Sequence, residues 1–315
     1  MALIQLKEVS KCYRNNTILD CVNLTIEDGD IVGVIGQSGS GKTTLLNLIT
    51  GFIEPSEGQA VYFSAAQEER NLNRNLYRIK RHIGFTPQHN SFYHKLTVKE
   101  NLWHFGQLYN IDKEKLKINI RSLLNFTRLI EHQDKLAEEL SGGMQKRLDI
   151  SCSLVHKPKI LVLDEPTADL DPILQKEILH LLQEVNKQGV TIVIASHQLD
   201  CIENICNKVV IVNNGRIKLE GLLEDLRQPY IKDNFIINVK NDAEKEQLIQ
   251  KIKALPINKI VDKGKTIIVY PRNVEKTTPA LMKVITEQNL TINGLHLRKM
   301  SLNELFEKVV TEDKD

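Results

Sequence analysis

The sequence is poor in cysteine, and its few cysteines follow no ligand or disulfide pattern. Five are scattered over 315 residues, with no C-x-x-C pair and no histidine at the spacing of a zinc site. An odd, dispersed set of thiols excludes a disulfide framework and is typical of proteins from a reducing compartment. We therefore predict reduced, structural thiols in a cytoplasmic protein. They are Cys12, Cys21, Cys152, Cys201 and Cys206.

Long apolar runs and a strong charge imbalance are also missing. No stretch approaches the roughly 18 apolar residues that a membrane-spanning helix needs. The opening MALIQLKEVSK lacks the basic and apolar regions of a signal peptide. A formal net charge of +2 gives no sign of nucleic-acid binding. We expect a globular protein that reaches a membrane only through a partner.

Residues 1–225 alternate predicted strands with predicted helices. The apolar runs IVGVIG, KILVLDEP and TIVIASH are bounded by turn residues and suit strands that are buried on both faces. The stretch TVKE at 97–100 is a capping box within a mainly helical insert over about 88–157. Asp171 and Pro172 are suited to the start of a helix over 172–188. This order predicts an α/β fold with a mainly parallel sheet, some antiparallel strands and a helical insert.

Residues 230–315 have a different pattern, in which strand, helix, two strands, helix and strand follow one another. That βαββαβ order is the ferredoxin-like unit. Ser301 and Glu304 form a second capping box, which opens the last helix. We predict a small α+β accessory domain after the larger one.

The stretch from Gly36 to Thr43, GQSGSGKT, fits the phosphate-loop pattern G-x-x-x-x-G-K-[ST]. It lies between a predicted strand and a predicted helix, which is the context that this motif requires. Its glycines let successive backbone N–H groups point at the phosphates of a nucleotide. Lys42 is expected to bridge the β- and γ-phosphates, and the Thr43 hydroxyl to bind Mg²⁺.

Two acids, Asp164 and Glu165, follow the buried run ILVL. Ligands bind at the carboxyl ends of parallel strands, so both acids are expected beside the phosphates. Phosphoryl transfer depends on positioning and on charge stabilisation rather than on a covalent nucleophile. We therefore predict that Asp164 holds the metal through a bound water and that Glu165 polarises the attacking water.

A second anion-binding motif occurs about a hundred residues after the first. In LSGGM, Ser141, Gly142 and Gly143 open a predicted helix, and the N–H groups at a helix N-terminus attract anions. With the phosphate loop and ILVLDEP, this stretch resembles the signature motif of ABC-transporter ATP-binding subunits. The resemblance covers residues 1 to about 225 and includes every motif of that family in order. It implies the P-loop NTPase cassette fold and ATP hydrolysis coupled to transport.

The run SGGMQKRLDIS followed by LVHKPKILVLDEPTADLDP resembles most the type-2 exporter branch, which handles drugs, antibiotics, polysaccharides or ions. We therefore expect this chain to power an exporter. Met144 departs from the many members that have glutamine there, and it cannot make an amide hydrogen bond.

The resemblance also implies the residues of an ATP site with Mg²⁺. Tyr13 corresponds to the aromatic residue that stacks on adenine, Gln88 to the glutamine near the metal, and His197 to the histidine that contacts the γ-phosphate. The implied nucleotide-binding residues are Tyr13, Gly36, Gln37, Ser38, Gly39, Ser40, Gly41, Lys42, Thr43 and Thr44. The implied catalytic residues are Glu165, His197 and Gln88. The implied metal ligands are Thr43, Gln88 and Asp164.

The same resemblance explains why one domain carries two anion-binding motifs. It implies that Ser141, Gly142 and Gly143 serve an ATP bound to a second ATP-binding subunit, the same chain or another one. Asp169 and Asp171 would lie in the loop that faces this subunit. ATP would then stabilise the head-to-tail dimer, and hydrolysis would release it.

A separate membrane permease is the other implied partner, and it would hold this chain at the inner face of the cell membrane. Its coupling helix is expected in a groove around residues 88–110. Two alternatives stay open. One is an importer ATPase whose βαββαβ domain senses the solute. The other is a soluble ABC ATPase that acts on nucleic acid or ribosomes, although such relatives commonly carry paired cassettes or coiled coils.

Overall fold

The computed structural model describes residues 1–64, 68–72, 74–227, 234–239, 242–287, 292–298 and 301–312. Contacts divide the chain into two compact units, Met1–Leu223 and a second unit from Glu224 onward. The predicted start of the second domain at residue 230 lies outside the described residues. The assignment of two domains stays a prediction.

The first unit contains ten strands and seven helices among its described residues. Its strands are β1 (Ala2–Tyr13), β2 (Asn16–Glu27), β3 (Ile31–Ile35), β4 (Glu57–Phe63), β5 (Glu69–Asn71), β6 (Ile83–Thr86), β7 (Ile160–Asp164), β8 (Thr191–Ala195), β9 (Lys208–Asn213) and β10 (Arg216–Leu222). Its helices are α1 (Lys42–Thr50), α2 (Leu76–Ile79), α3 (Val98–Leu108), α4 (Lys113–Phe126), α5 (Gly142–Leu154), α6 (Pro172–Lys187) and α7 (Leu199–Ile205). Helix α8 (Leu223–Arg227) follows β10.

The central sheet has six strands in the order β10-β9-β3-β8-β7-β6. All neighbours are parallel except the terminal hairpin of β9 and β10. Every residue of β3, β7 and β8 is buried, as expected for parallel strands that are covered on both faces. The predicted mainly parallel α/β fold is confirmed. Because β3, β8, β7 and β6 are neighbours, the loops that follow them meet at one edge.

A second, antiparallel sheet has the order β2-β1-β4-β5. Its apolar face packs with α1 and the central sheet in one continuous core, which includes Ile4, Leu24, Leu45 and Val193. The sheet holds the end of β1, with Tyr13, close to the loop that follows β3.

The chain between β6 and β7 is mainly helical and has its own apolar core, with Leu102, Leu116, Ile120 and Leu148 among its members. Thr97 and Glu100 form the predicted capping box at the start of α3, with both reciprocal hydrogen bonds present. Asp171 caps α6 by accepting from the N–H groups of the second and third helical residues. Both predicted helix starts are therefore confirmed.

The second unit contains β11 (Asn234–Val239), α9 (Asp242–Ile252), β12 (Ile257–Lys263), β13 (Thr266–Pro271), α10 (Val274–Glu287), β14 (Ile292–Arg298) and α11 (Leu302–Glu312). The four strands form an antiparallel sheet in the order β12-β13-β11-β14. Alternate residues of the two inner strands, Phe235 and Ile237 with Ile267 and Val269, belong to a core shared with α9 and α10. The βαββαβ order and this sheet confirm the predicted ferredoxin-like α+β fold.

None of the described helices has both the length and the apolar composition that crossing a membrane requires.

Candidate functional site

The loop from Gly36 to Thr43 joins β3 to α1 and forms one wall of the candidate site. Gly39 and Gly41 have positive φ angles of 78° and 107°, which favour glycine. A Cβ atom on Gly41 would lie 2.8 Å from Leu19 Cδ2, so a larger residue there would displace the loop. The loop ends where the N–H groups of α1 begin, which suits a phosphate.

Lys42 is half-buried at the start of α1. Its Nζ donates to the carbonyl oxygens of Gly36 at 2.9 Å and of Gln37 at 3.1 Å. Burial lowers the pKa of this ammonium, and the nearby carboxylates of Glu165 and Asp164 oppose that effect. The side chain therefore lies across the loop with its charge beside the two acids.

Thr43 and Asp164 join the loop to the end of β7. The Thr43 hydroxyl donates to Asp164 Oδ2 at 2.9 Å. Burial raises the pKa of Asp164, while the hydrogen bond from Thr43 lowers it. A hydroxyl and a carboxylate are hard oxygen donors of the kind that Mg²⁺ prefers, so these two residues fit a magnesium site.

Glu165 is buried and points its carboxylate at the residues after β8. Oε2 accepts from the Ser196 hydroxyl at 3.1 Å, and Oε1 accepts from the His197 backbone N–H at 3.0 Å. His197 Nδ1 lies 2.9 Å from the same Oε1. Glu165 has a positive φ of 49°, an uncommon backbone conformation that is held here by a hydrogen bond from its N–H to the Ala195 carbonyl.

These groups line one cleft of about 650 Å³. The sequence-predicted residues that line it are Tyr13, Ser38, Gly39, Gly41, Lys42, Thr43, Thr44, Gln88, Asp164, Glu165 and His197. Gly36, Gln37 and Ser40 do not line it. The Ser40 side chain is buried, and its hydroxyl occupies the space that a Cβ atom on Gly36 would need.

Ile18 also lines the cleft and was not predicted from the sequence. It lies on β2, which follows Tyr13 after a tight turn, and no motif marks it. Ser196 was missed as well, although its hydroxyl, one residue before His197, is a donor that can bind a carboxylate. Tyr13, which also lines the cleft, is 48% exposed.

Ser141, Gly142 and Gly143 lie outside this cleft, at the start of α5. The Ser141 side chain caps that helix by accepting from Met144 N at 3.4 Å. Gly142 is exposed with open space around its Cβ position, whereas a Cβ atom on Gly143 would lie 2.7 Å from Leu174. Asp169 and Asp171, in the exposed loop before α6, do not line the cleft either.

Residues 19–168 match the ABC transporter family. The ABC-transporter ATP-binding protein YxlF of Bacillus subtilis, itself uncharacterized, is 30% identical over 98% of this chain and 99% of its own length. The chain belongs to the family of ABC-transporter ATP-binding proteins. This cassette is therefore an ATPase that powers a membrane transporter, and cassettes of its family bind ATP and ADP.

Relatives of this ATP-binding subunit include an antibiotic-resistance protein and an import protein. The linearmycin resistance ATP-binding protein LnrL of Bacillus subtilis is 26% identical over 96% of this chain and 97% of its own length. The methionine import ATP-binding protein MetN of Histophilus somni is 33% identical over 81% of this chain and 76% of its own length. The predicted family is confirmed at the level of the ATP-binding subunit, and the exporter branch stays a prediction.

Solved structures of ABC cassettes share the fold. CbiO1 of Clostridium perfringens, part of the CbiONQ transporter complex, superposes with a TM-score of 0.65 at 26% identity over 81% of this chain and 96% of its own. The cassette MJ0796, solved as a dimer bound to ADP and Pi in a post-hydrolysis state, has a TM-score of 0.62 at 29% identity, over 70% of this chain and 99% of its own. ABC ATPases thus form dimers, and they work with membrane permeases.

Proposed function

We propose that this subunit hydrolyses ATP at a site shared by two cassettes and thereby powers export through a separate permease. The contact between Glu165 and His197 carries the proposal, because it brings a carboxylate and an imidazole together in the cleft that holds the phosphate loop. Such a pair serves phosphoryl transfer to water, for which positioned charges matter most.

The nucleotide would lie along the cleft from Tyr13 to Glu165. The exposed Tyr13 ring offers a stacking surface for adenine at one end. The loop N–H groups and Lys42 would bind the phosphates, since a charged donor makes the strongest hydrogen bonds to phosphate oxygens. On binding, Lys42 would exchange its carbonyl partners in Gly36 and Gln37 for phosphate oxygens.

Mg²⁺ would be held by Thr43 and Asp164, with Gln88 beside them on the lining of the cleft. When bound, the ion supplies Lewis-acid stabilisation of the phosphate charge. Glu165 would accept a hydrogen bond from the attacking water and so orient it. Ser196 and the His197 backbone fix the direction of that carboxylate, and the His197 ring would contact the γ-phosphate.

A second cassette would complete each site. Ser141, Gly142 and Gly143 lie outside the cleft of their own chain, and the dimer of the related cassette MJ0796 supports a two-chain arrangement. Gly142 leaves open space for a phosphate to approach α5. Asp169 and Asp171 would face the partner, although the Asp171 carboxylate also caps α6.

A groove of about 320 Å³ next to Gln88 would receive the coupling helix of the permease. Aromatic residues line it together with Pro87, which suits an apolar helix segment. These aromatic residues are Phe52, Phe85, Phe105 and Tyr109. Docking there would place this chain at the inner face of the cell membrane.

Two observations support the export direction. The match to LnrL covers nearly the whole length of both chains, and the run SGGMQKRLDIS, which begins at Ser141, resembles the exporter branch. The competing assignment is an importer with a solute-sensing second unit, which the MetN relatives favour. Inside-out vesicles that contain this chain and its permease distinguish the two. ATP-dependent accumulation of linearmycin or another antibiotic, absent with Glu165→Gln, is expected for the exporter. ATP-dependent loss of preloaded methionine would indicate the importer.

A further inference from the structure

One face of α5 carries three polar side chains that all contact the segment around Gln88. Gln145, Asp149 and Ser153 are spaced four residues apart, which places them in one stripe along the helix. The segment they contact, residues 85–91, leads from the end of β6 past Gln88 toward the helical insert. We call these three residues the α5 stripe.

Contacts of the α5 stripe lie on both sides of Gln88. Before it, the Ser153 hydroxyl donates to the Phe85 carbonyl at 2.7 Å. After it, Asp149 Oδ1 accepts from both the backbone N–H and the hydroxyl of Ser91, at 3.0 and 2.6 Å. Gln145 adds a longer hydrogen bond, at 3.4 Å, from Asn90. The strongest of these connections is the pair of bonds to Asp149, because its acceptor is charged.

Asp149 is fully buried, which makes its charge costly unless a partner compensates it. Lys146, buried one helical turn earlier, places its ammonium 3.9 Å from Asp149 Oδ2. Burial raises the pKa of Asp149, and Lys146 and the Ser91 bonds oppose this rise. A buried ion pair of this kind often stabilises a fold no more than an apolar pair of the same size does. We therefore assign Lys146 and Asp149 a role in positioning rather than in stability.

We propose that Asp149 is a positioning residue, which fastens the Gln88 segment to the helix that begins at Ser141. Gln88 belongs to the chain's own ATP site, and Ser141 to the site of the partner. A rigid link between them would move the signature serine whenever the Gln88 segment responds to nucleotide. The inference rests on the proposed two-cassette function and adds a named connection between the two sites.

Asp149→Ala removes the acceptor of both Ser91 hydrogen bonds and leaves the phosphate loop unchanged. We expect kcat to fall at least about tenfold, while KM for ATP and ATP affinity of the monomer stay within about threefold. Ser91→Ala, at an exposed loop position, removes one of the two bonds and is expected to lower kcat less, in the same direction. Ser151→Ala is the matched control, since its buried hydroxyl donates to the Arg147 carbonyl of the same helix.

A double variant distinguishes the effect of losing the buried charge from the effect of losing the hydrogen bonds to Ser91. Asp149→Asn with Lys146→Met keeps an oxygen acceptor for Ser91 and removes both buried charges. Positioning by hydrogen bonds predicts that this double variant recovers kcat to within about threefold of the unmodified chain. A double variant as slow as Asp149→Ala would overturn the proposed role of the Ser91 bonds.

The decisive measurement uses the Glu165→Gln background and the amount of dimer that ATP forms in size-exclusion chromatography. Glu165→Gln alone is expected to dimerise with ATP; its failure to do so would count against the proposed two-cassette function. If Glu165→Gln dimerises, adding Asp149→Ala is expected to raise the ATP concentration needed for half-maximal dimer formation at least about tenfold. Adding Ser151→Ala is expected to leave that concentration unchanged. Equal dimer formation with and without Asp149→Ala would overturn the inference alone.

Discussion

His197 Nδ1 lies 2.9 Å from Glu165 Oε1, and the backbone N–H of His197 donates to the same oxygen. The Ser196 hydroxyl holds the other carboxylate oxygen. Glu165 is therefore positioned by the loop that follows β8, although it lies at the end of β7 itself. The residue that would orient water and the residue that would contact the γ-phosphate are therefore in direct contact.

Glu165→Gln is expected to lower the ATP hydrolysis rate at least about 100-fold, because an amide cannot accept a proton from water as a carboxylate can. ATP affinity should be retained, since Lys42 and the loop N–H groups are unchanged. Steady-state hydrolysis and calorimetric ATP binding measure both effects. Glu184→Gln, at a partly exposed position on α6 where the carboxylate pairs with Lys187, is the control. Hydrolysis within about threefold of the unmodified chain would refute the role of Glu165.

Lys42→Ala is expected to weaken ATP binding by about 10- to 100-fold, because it removes a charged donor to phosphate from a half-buried position. Calorimetry with ATP and Mg²⁺ measures the change. Lys113→Ala removes a lysine from the exposed start of α4 and should leave affinity unchanged. Equal ATP affinity in both variants would exclude the proposed phosphate contact.

The buried His156 ring is expected to make the folded protein less stable in mild acid. Its ring stacks on Tyr109, and Nε2 contacts the Ile83 carbonyl at 3.1 Å. Burial lowers its pKa from 6.5 to about 4, so the unfolded chain takes up a proton before the folded one does. The free energy of unfolding should therefore fall by about 2 kcal/mol from this group as pH drops from 7.5 to 5.

Urea unfolding at the two pH values tests this contribution. His156→Gln keeps a donor for the Ile83 carbonyl and cannot titrate, so its stability should depend less on pH by that amount. His180→Gln, at an exposed position on α6, should keep the full pH dependence. An unchanged pH dependence in His156→Gln would show that this ring is not the acid-sensitive group.

Much of the cassette follows from short-range patterns. The apolar strands β3, β7 and β8 and the capping residues Thr97 and Asp171 were predictable, because burial on both faces and helix capping leave local signals. Strands β4 and β5 were missed. The first half of β4 is exposed and only its second half is buried, so its sequence has neither a clear alternation nor a continuous apolar run.

The candidate site was predictable where a motif contains it, as in the phosphate loop and ILVLDEP. Contacts between distant parts of the chain leave no such pattern. Asp149 reaches Ser91 across 58 positions, and in the sequence it is one of 40 acidic residues. Ile18 lines the cleft only because β2 pairs with β1.

In the proposed dimer, each ATP site takes its phosphate loop from one chain and its signature serine from the other. Ser141→Arg should therefore abolish hydrolysis while leaving ATP binding by the monomer nearly unchanged. Mixing a Ser141→Arg chain with a Lys42→Ala chain would give a dimer with one doubly altered site and one unmodified site. Neither variant alone can form an unmodified site.

The most direct test is ATP hydrolysis by that mixture, compared with each variant alone at the same total concentration. The two-chain site predicts partial recovery of activity on mixing, from the one intact site in each mixed dimer. Calorimetry on the Ser141→Arg monomer accompanies it. No recovery on mixing, together with an ATP affinity as weak as that of Lys42→Ala, would place Ser141 in its own chain's site and contradict the account.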